Sequence, residues 1–205
     1  MIKYLKKSKF ILNQINFFVS LKNYVVFCFL VNIPCHILRN MLVKINVKQL
    51  GKDCSILKSI EIRLGKNIEI GNNCVINKSV LLDGRGGNLI IGNNVDIGQE
   101  TNIWTLEHNV NDDYHASIGA DVIIEDYVWI ASNVLILPSC RRIGKGAVIG
   151  AGSVVVKDVP PMAVMGGNPA QCLKTRKNIH SKLVIASLLS GDLKIYWNIW
   201  INRKK

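Results

Sequence analysis

An aliphatic residue recurs every six positions through the middle of this chain, and that period rules out a helix as its main element. The positions are Leu64, Ile70, Ile76 and Leu82, then Ile91, Ile97 and Ile103, then Ile118, Ile124, Ile130 and Ile136, then Ile143, Ile149 and Val155. Gly follows at 65, 71, 92, 98, 119, 144 and 150. A helix returns to one face every 3.6 residues, so a strict beat of six cannot stay on that face. The Val, Ile, Gly and Asn content lowers helix propensity further. Short strands joined by tight turns satisfy the pattern, with the aliphatic side chain inward and Gly or Asn in positive-φ corners. Each coil then rests on the next, and stacking builds one continuous core.

The beat breaks in three places. Leu82 to Ile91 spans nine residues, with the surplus in Asp83-Gly84-Arg85-Gly86-Gly87-Asn88. Ile103 to Ile118 spans fifteen, which predicts a loop around 108–117. Ile136 to Ile143 spans seven, one residue too many near Cys140-Arg141-Arg142. Insertions in a solenoid leave at its corners and commonly build the binding face.

At 205 residues, one main domain with a small appendage is expected. The boundaries fall at 1–48, 49–176 and 177–205: a basic apolar helical segment, the repeat domain, and a basic extension expected to be helical. Six cysteines (28, 35, 54, 74, 140 and 172) include no Cys-x-x-Cys pair and no metal-type Cys/His spacing. Cys74 and Cys140 each stand four residues after a beat position, which predicts buried, inert thiols in a reducing, cytoplasmic setting. The net charge of +12 concentrates at the two ends. Basic ends suit anionic lipid or a phosphorylated cofactor, and no nucleic-acid motif accompanies them.

Residues 10–43 are apolar but interrupted by Lys22, Asn32, Pro34 and His36. Neither run reaches the roughly twenty residues a spanning helix needs. With Lys3, Lys6, Lys7 and Lys9 ahead of it, the segment reads in two ways. One is helices lying in a membrane interface on the cytoplasmic face. The other is a helical cap over the open end of the coil stack. Leu183–Trp200 is a second short helix candidate with an aromatic face.

From Ile103 to Lys174 an ordered set of motifs overlies the beat. It comprises Trp104-Thr105-Leu106-Glu107-His108, Val128-Trp129-Ile130-Ala131-Ser132, Ile149-Gly150-Ala151-Gly152-Ser153, Lys157-Asp158-Val159-Pro160-Pro161 and Gly167-Asn168-Pro169-Ala170. Together with the fourteen beats, these residues resemble the hexapeptide-repeat acyltransferases, and among them the sugar and polysaccharide O-acetyltransferases. The resemblance covers about residues 50–176. It implies a mainly β fold, a left-handed parallel β-helix with three hexapeptides per coil, flanked here by N-terminal and short C-terminal helical segments. It also implies acetyl-CoA as co-substrate, no metal, and a homotrimer whose active sites form between neighbours.

By the same resemblance His108 is the general base, a role suited to a group that titrates near neutrality. His115, on the same loop, is its rival. Ser132 matches the position whose backbone N–H faces the thioester oxygen. Trp129, Ala131, Ala151, Val156, Lys157 and Lys174 match the coenzyme side; Gln171 replaces an Arg found in galactoside-type relatives, and Arg176, close by, is the candidate to compensate. Asp83, Asn102 and Asp112 are the candidates for the acceptor side; Asp83 could equally cap a turn. No Ser or Cys has an evident base beside it, which points to direct transfer in a ternary complex.

The expected function is acetyl transfer to a hydroxyl of a saccharide, in capsule, exopolysaccharide or O-antigen biosynthesis, with an acceptor that the apolar N-terminus suggests is lipid-linked. A small-molecule acceptor (serine, a nucleotide sugar or an antibiotic) is the alternative. A carbonic anhydrase-like metal site needs three histidines on the coils, and only His108 and His115 lie within the repeat. A catalytically silent scaffold is the remaining class, since fold alone decides none of these.

Overall fold

The computed structural model describes residues 32–179 continuously, and ahead of them Gln14, Phe17, Phe18, Leu21 and Val25, each helical. Cys28, His180 and the predicted helix Leu183–Trp200 lie outside the described residues.

The repeat domain is a parallel β-solenoid of about six turns with three walls. The first wall holds β1 (Gln49–Leu50), β4 (Ile68–Ile70), β7 (Leu89–Ile91), β12 (Val122–Ile124) and β15 (Arg142–Ile143). The second holds β2 (Ser55–Ile56), β5 (Val75–Ile76), β8 (Asp96–Ile97), β13 (Trp129–Ile130), β16 (Val148–Ile149) and β18 (Ala163–Gly166). The third holds β3 (Glu61–Arg63), β6 (Leu81–Asp83), β9 (Asn102–Ile103), β14 (Leu135–Ile136) and β17 (Val154–Val155).

Because every turn returns to the same wall, the aliphatic residues line up in columns. On the second wall Ile56, Ile76, Ile97, Ile130, Ile149 and Met165 pair in register, each with the next. Ile62, Leu82, Ile103, Ile136 and Val155 form the third-wall core, all buried. A two-residue strand has no stability of its own, so the columns supply the cohesion through burial of apolar surface. Cys54, Cys74 and Cys140 are buried as small inward residues, the last two as expected.

Two beat positions are not inward. Leu64 is exposed, with φ of 50°, and opens a 3-10 turn over Gly65–Asn67. The inward residue of that coil is Ile62, and two residues are inserted before Ile70. Ile118 is also exposed. It belongs to an antiparallel hairpin, β10 (Leu106–His108) with β11 (Ser117–Gly119), that stands off the solenoid. Spacing alone cannot separate a coil strand from a hairpin strand that happens to fall on the count.

The glycines after the beat serve a different need from the expected one. The positive-φ corners fall at Asn73, Asn94, Asn133, Gly146 and Gly152, neither of these glycines directly after a beat residue, but also at Asp53, Ser59, Ser79, Glu100, Tyr127 and Met162. Gly71 and Gly98 are required by close stacking: a Cβ on Gly98 would lie 2.5 Å from the carbonyl carbon of Ala131 in the next coil.

The N-terminal end of the stack is covered by α1 (His36–Asn46). Arg39 is buried; its Nε donates to Ile56 O at 2.7 Å and a terminal nitrogen donates to Ile33 O at 2.6 Å. Asn40 Nδ2 donates to Cys54 O at 2.7 Å. These groups satisfy carbonyls near the edge strand β2, which would otherwise be open to another chain. The capping reading of the N-terminal segment therefore holds for α1. At the other end β18 pairs antiparallel with β19 (Gln171–Thr175).

Candidate active site

The hairpin β10–β11 leaves the solenoid between the third wall and the first, where Ala120 N–H closes it by donating to Thr105 O at 3.0 Å. Its tip is a built turn. Asn109 N–H donates to Ala116 O, and Asp112 Oδ1 accepts from the N–H groups of Tyr114 and Ala116. The Asp112 carboxylate thus brackets the loop. Such side-chain-to-backbone bonds are what lets a short polar residue organise a turn.

That turn aims a backbone carbonyl at the candidate base. His108 Nδ1 lies 2.7 Å from His115 O, with the His115 backbone at φ of 52°. A carbonyl only accepts, so Nδ1 carries the hydrogen, and in the neutral ring the lone pair then sits on Nε2. His108 is exposed, which leaves Nε2 open to an incoming hydroxyl. Of the two histidines named from the sequence, His115 contributes its carbonyl to this arrangement. Glu107 alternates to the opposite face of the strand from His108 and pairs across to Ile118.

Behind the hairpin lies a charged and aromatic cluster. Asp83 is fully buried; its Oδ1 accepts from Arg85 Nε at 2.7 Å, and Thr105 N–H lies 3.4 Å from Oδ2. The guanidiniums of Arg63 and Arg85 stand 4.9 and 5.9 Å from the centroid of the Trp104 ring. Asp83, reached from the sequence as an acceptor ligand, is engaged internally and holds Arg85 in place. Asn102 on β9 is half-buried, and its Nδ2 donates to Glu100 O at 3.2 Å.

The coenzyme-side candidates gather elsewhere. Trp129 on β13 is half exposed. Ala131 and Ser132 follow it at the corner between the second and third walls. One coil on, Ala151 and Gly152 occupy the same corner, and Gly152 N–H donates to Ser132 O at 3.1 Å. A Cβ on Gly152, at φ of +69°, would meet nothing within 4 Å, so this corner opens outward. Val156 and the exposed Lys157 follow β17 on the third wall. Lys174 is exposed on β19, opposite Val164. Arg176 differs: its guanidinium donates to Tyr127 O at 3.2 Å and Gly146 O at 3.1 Å, at the corner between the first and second walls.

His108 and the Trp129–Ser132–Ala151 group therefore occupy different corners of one chain. About six residues of wall separate them, roughly 15–20 Å of extended backbone. Among the described residues no hydrogen bond or ion pair joins the two groups. Nor does any cluster of three His, Cys, Asp or Glu have metal-site geometry among those residues.

Sequence reasoning missed Asp96. It is 8% exposed, in register between Val75 and Trp129, and burial pushes its carboxyl up to about 6. Its Oδ1 lies 3.5 Å from Asn77 Nδ2. The available signal was a lone acid in a wall position that holds Val75 and Val148 in other coils.

No protein-family model matches the chain. It is 36% identical over 141 residues to a galactoside O-acetyltransferase of Lactococcus lactis subsp. lactis, covering 66% of each chain. A solved hexapeptide-repeat acetyltransferase of Vibrio cholerae O1 biovar eltor, complexed with acetyl coenzyme A, superposes with a TM-score of 0.69 at 31% identity, over 77% of this chain and 87% of that one. A maltose O-acetyltransferase of Clostridium difficile 630 gives 0.67 at 31% identity, over 73% and 82%. The chain spans about two thirds or less of the length of the curated relatives it matches first. Solenoid, ordered motifs and these likenesses together place the chain in the hexapeptide-repeat acetyltransferase family.

Proposed function

We propose that this protein moves an acetyl group from acetyl-CoA to a hydroxyl of a saccharide, with His108 as general base in a ternary complex. The observation that carries the reading is the Nδ1 contact of His108 with the His115 carbonyl, which leaves Nε2 as a directed, exposed acceptor of a proton. Nε2 takes the hydroxyl proton as the oxygen attacks the thioester carbonyl. The tetrahedral oxyanion needs an N–H donor, the role given to Ser132. Collapse expels the coenzyme thiolate, which recovers the proton from His108. Trp129, Ala131, Ala151, Val156 and Lys157 would line the coenzyme arm, and Lys174 would face its phosphates. Arg176, already bound to two carbonyls, would support that surface. Asn102 and Asp112 flank the acceptor, with Asp83 fixing Arg85 behind it.

The separation of His108 from the Trp129 corner supports a homotrimer, since a neighbour's corner could complete each site. The sugar O-acetyltransferases among the relatives support a saccharide acceptor. We place the reaction in capsule, exopolysaccharide or O-antigen biosynthesis. An acceptor carried on a lipid would be met at the cytoplasmic face of a membrane, where the lysine-led segment 1–43 makes peripheral contact. A soluble small-molecule acceptor is the second reading.

His108→Ala should fold, retain coenzyme A binding and lose about two to four orders of magnitude in transfer rate. Wild-type activity in that variant would sink the assignment. Light scattering should give three copies; a monomer active at nanomolar concentration refutes the shared site. Surface glycans from cells lacking the protein should lose one acetyl mass per repeat, and unchanged glycans would favour the small-molecule acceptor.

A further inference from the structure

The outer side of α1 is unusually apolar for a helix in water. Its inward side buries Val43 in the core and fastens polar groups to the first coil: Arg39 and Asn40 bind coil carbonyls, and His36 Nε2 lies 3.2 Å from Ser55 Oγ. Its outward side carries Ile37, Leu38, Met41 and Ile45, between 48% and 71% exposed, with Lys44 beside them. A surface helix normally turns polar residues outward, and a grouped apolar patch marks a contact surface. Ahead of it Phe17, Phe18, Leu21 and Val25 are helical, spaced as one stripe, and 41% to 62% exposed.

Charge selects the occupant. Nine of the 26 Lys and Arg residues lie within the first 52 positions, and none of the 14 acids does; Asp53 is the first. Arg39 turns inward, and the other eight are lysines. A second copy of this end would bring eight more like charges against them. An anionic bilayer matches both the apolar and the cationic character. Among the described residues no helix is long and apolar enough to cross a membrane.

We propose that Ile37, Leu38, Met41 and Ile45 dock into the interface of an anionic lipid bilayer, holding the solenoid with its first coil nearest the lipid. Arg39 and Asn40 transmit the anchorage, since they fasten the helix to the carbonyls of Ile56 and Cys54. The inference rests on the N-terminal membrane contact proposed above and is independent of acetyl transfer.

The test is sedimentation of the purified full chain with phosphatidylcholine vesicles, with and without phosphatidylglycerol. Wild type should bind the anionic vesicles at least tenfold more tightly than the neutral ones. The triple variant Ile37→Ser, Met41→Ser, Ile45→Ser should lose at least tenfold in that binding while keeping its melting temperature and coenzyme A affinity. Met41→Trp should shift its emission to the blue on anionic vesicles. A triple variant that binds like wild type, or a tryptophan that does not shift, overturns the assignment of this face and leaves membrane contact standing. Wild type that ignores both vesicles overturns the membrane contact as well. Light scattering of the triple variant then tells a joint between copies from a face covered by the chain's own N-terminal segment.

Discussion

Replacing Asp96 by Asn should stabilise this protein at neutral pH and leave it nearly unchanged in acid. Asp96 is 8% exposed, between Val75 and Trp129 in the ladder, and its carboxyl has one long approach from Asn77 at 3.5 Å. Burial raises it from an ordinary 3.8 to about 6 in the folded protein. A raised folded value means that folding prefers the protonated form. The stability it contributes is full below the unfolded value and falls as pH rises, until ionisation in the fold is complete above pH 6. The gap between 3.8 and about 6 corresponds to about 3 kcal/mol. Asn keeps the shape and an acceptor for Asn77 without the charge. Urea unfolding of both proteins, at one protein concentration, should give a stability difference near zero at acid pH. The difference should grow between about pH 4 and 6 and level off near 3 kcal/mol in favour of the variant. A difference that does not change with pH, or one that favours Asp96 at pH 8, would refute the desolvation account.

Ile130→Ala, in the middle of the second-wall column and fully buried, should cost about 2–5 kcal/mol, read as a lowered urea midpoint. A cost below 1 kcal/mol would mean that the column is not continuous. Brief alkylation at pH 8 followed by peptide mapping should label the exposed Cys35 and Cys172 and spare Cys54, Cys74 and Cys140. Burial pushes the Cys140 thiol up to about 12, so labelling there at the rate of Cys172 would contradict its placement.

Much of this molecule was legible before any coordinates. Twelve of the fourteen beat residues point into the core, because a solenoid makes burial a local property: each strand meets the same strand one turn away. The loop carrying His108 was legible for the same reason, as a break in a count. Leu64 and Ile118 show where counting stops, since an inserted 3-10 turn and a hairpin can fall on the beat without facing inward. The glycines show a second limit. Their need is set by the backbone of the neighbouring coil, at 2.5 Å from a Cβ on Gly98, and not by their own turn.

Only the tertiary structure decided what the polar groups do. Asp83 pairs with Arg85 inside the wall and Asp112 holds a turn, and no spacing in the sequence announces either contact. The His115 carbonyl that orients His108 belongs to a backbone seven residues away, and no side-chain pattern announces it. Arg39 reads as a basic residue in an apolar segment until the fold turns it onto the carbonyl of Ile56 in the first coil and that of Ile33 ahead of the helix. Periodicity reports which side chains leave water, because burial repeats with the chain. Hydrogen bonding joins specific atoms across turns, and that pairing exists only once the coils are stacked.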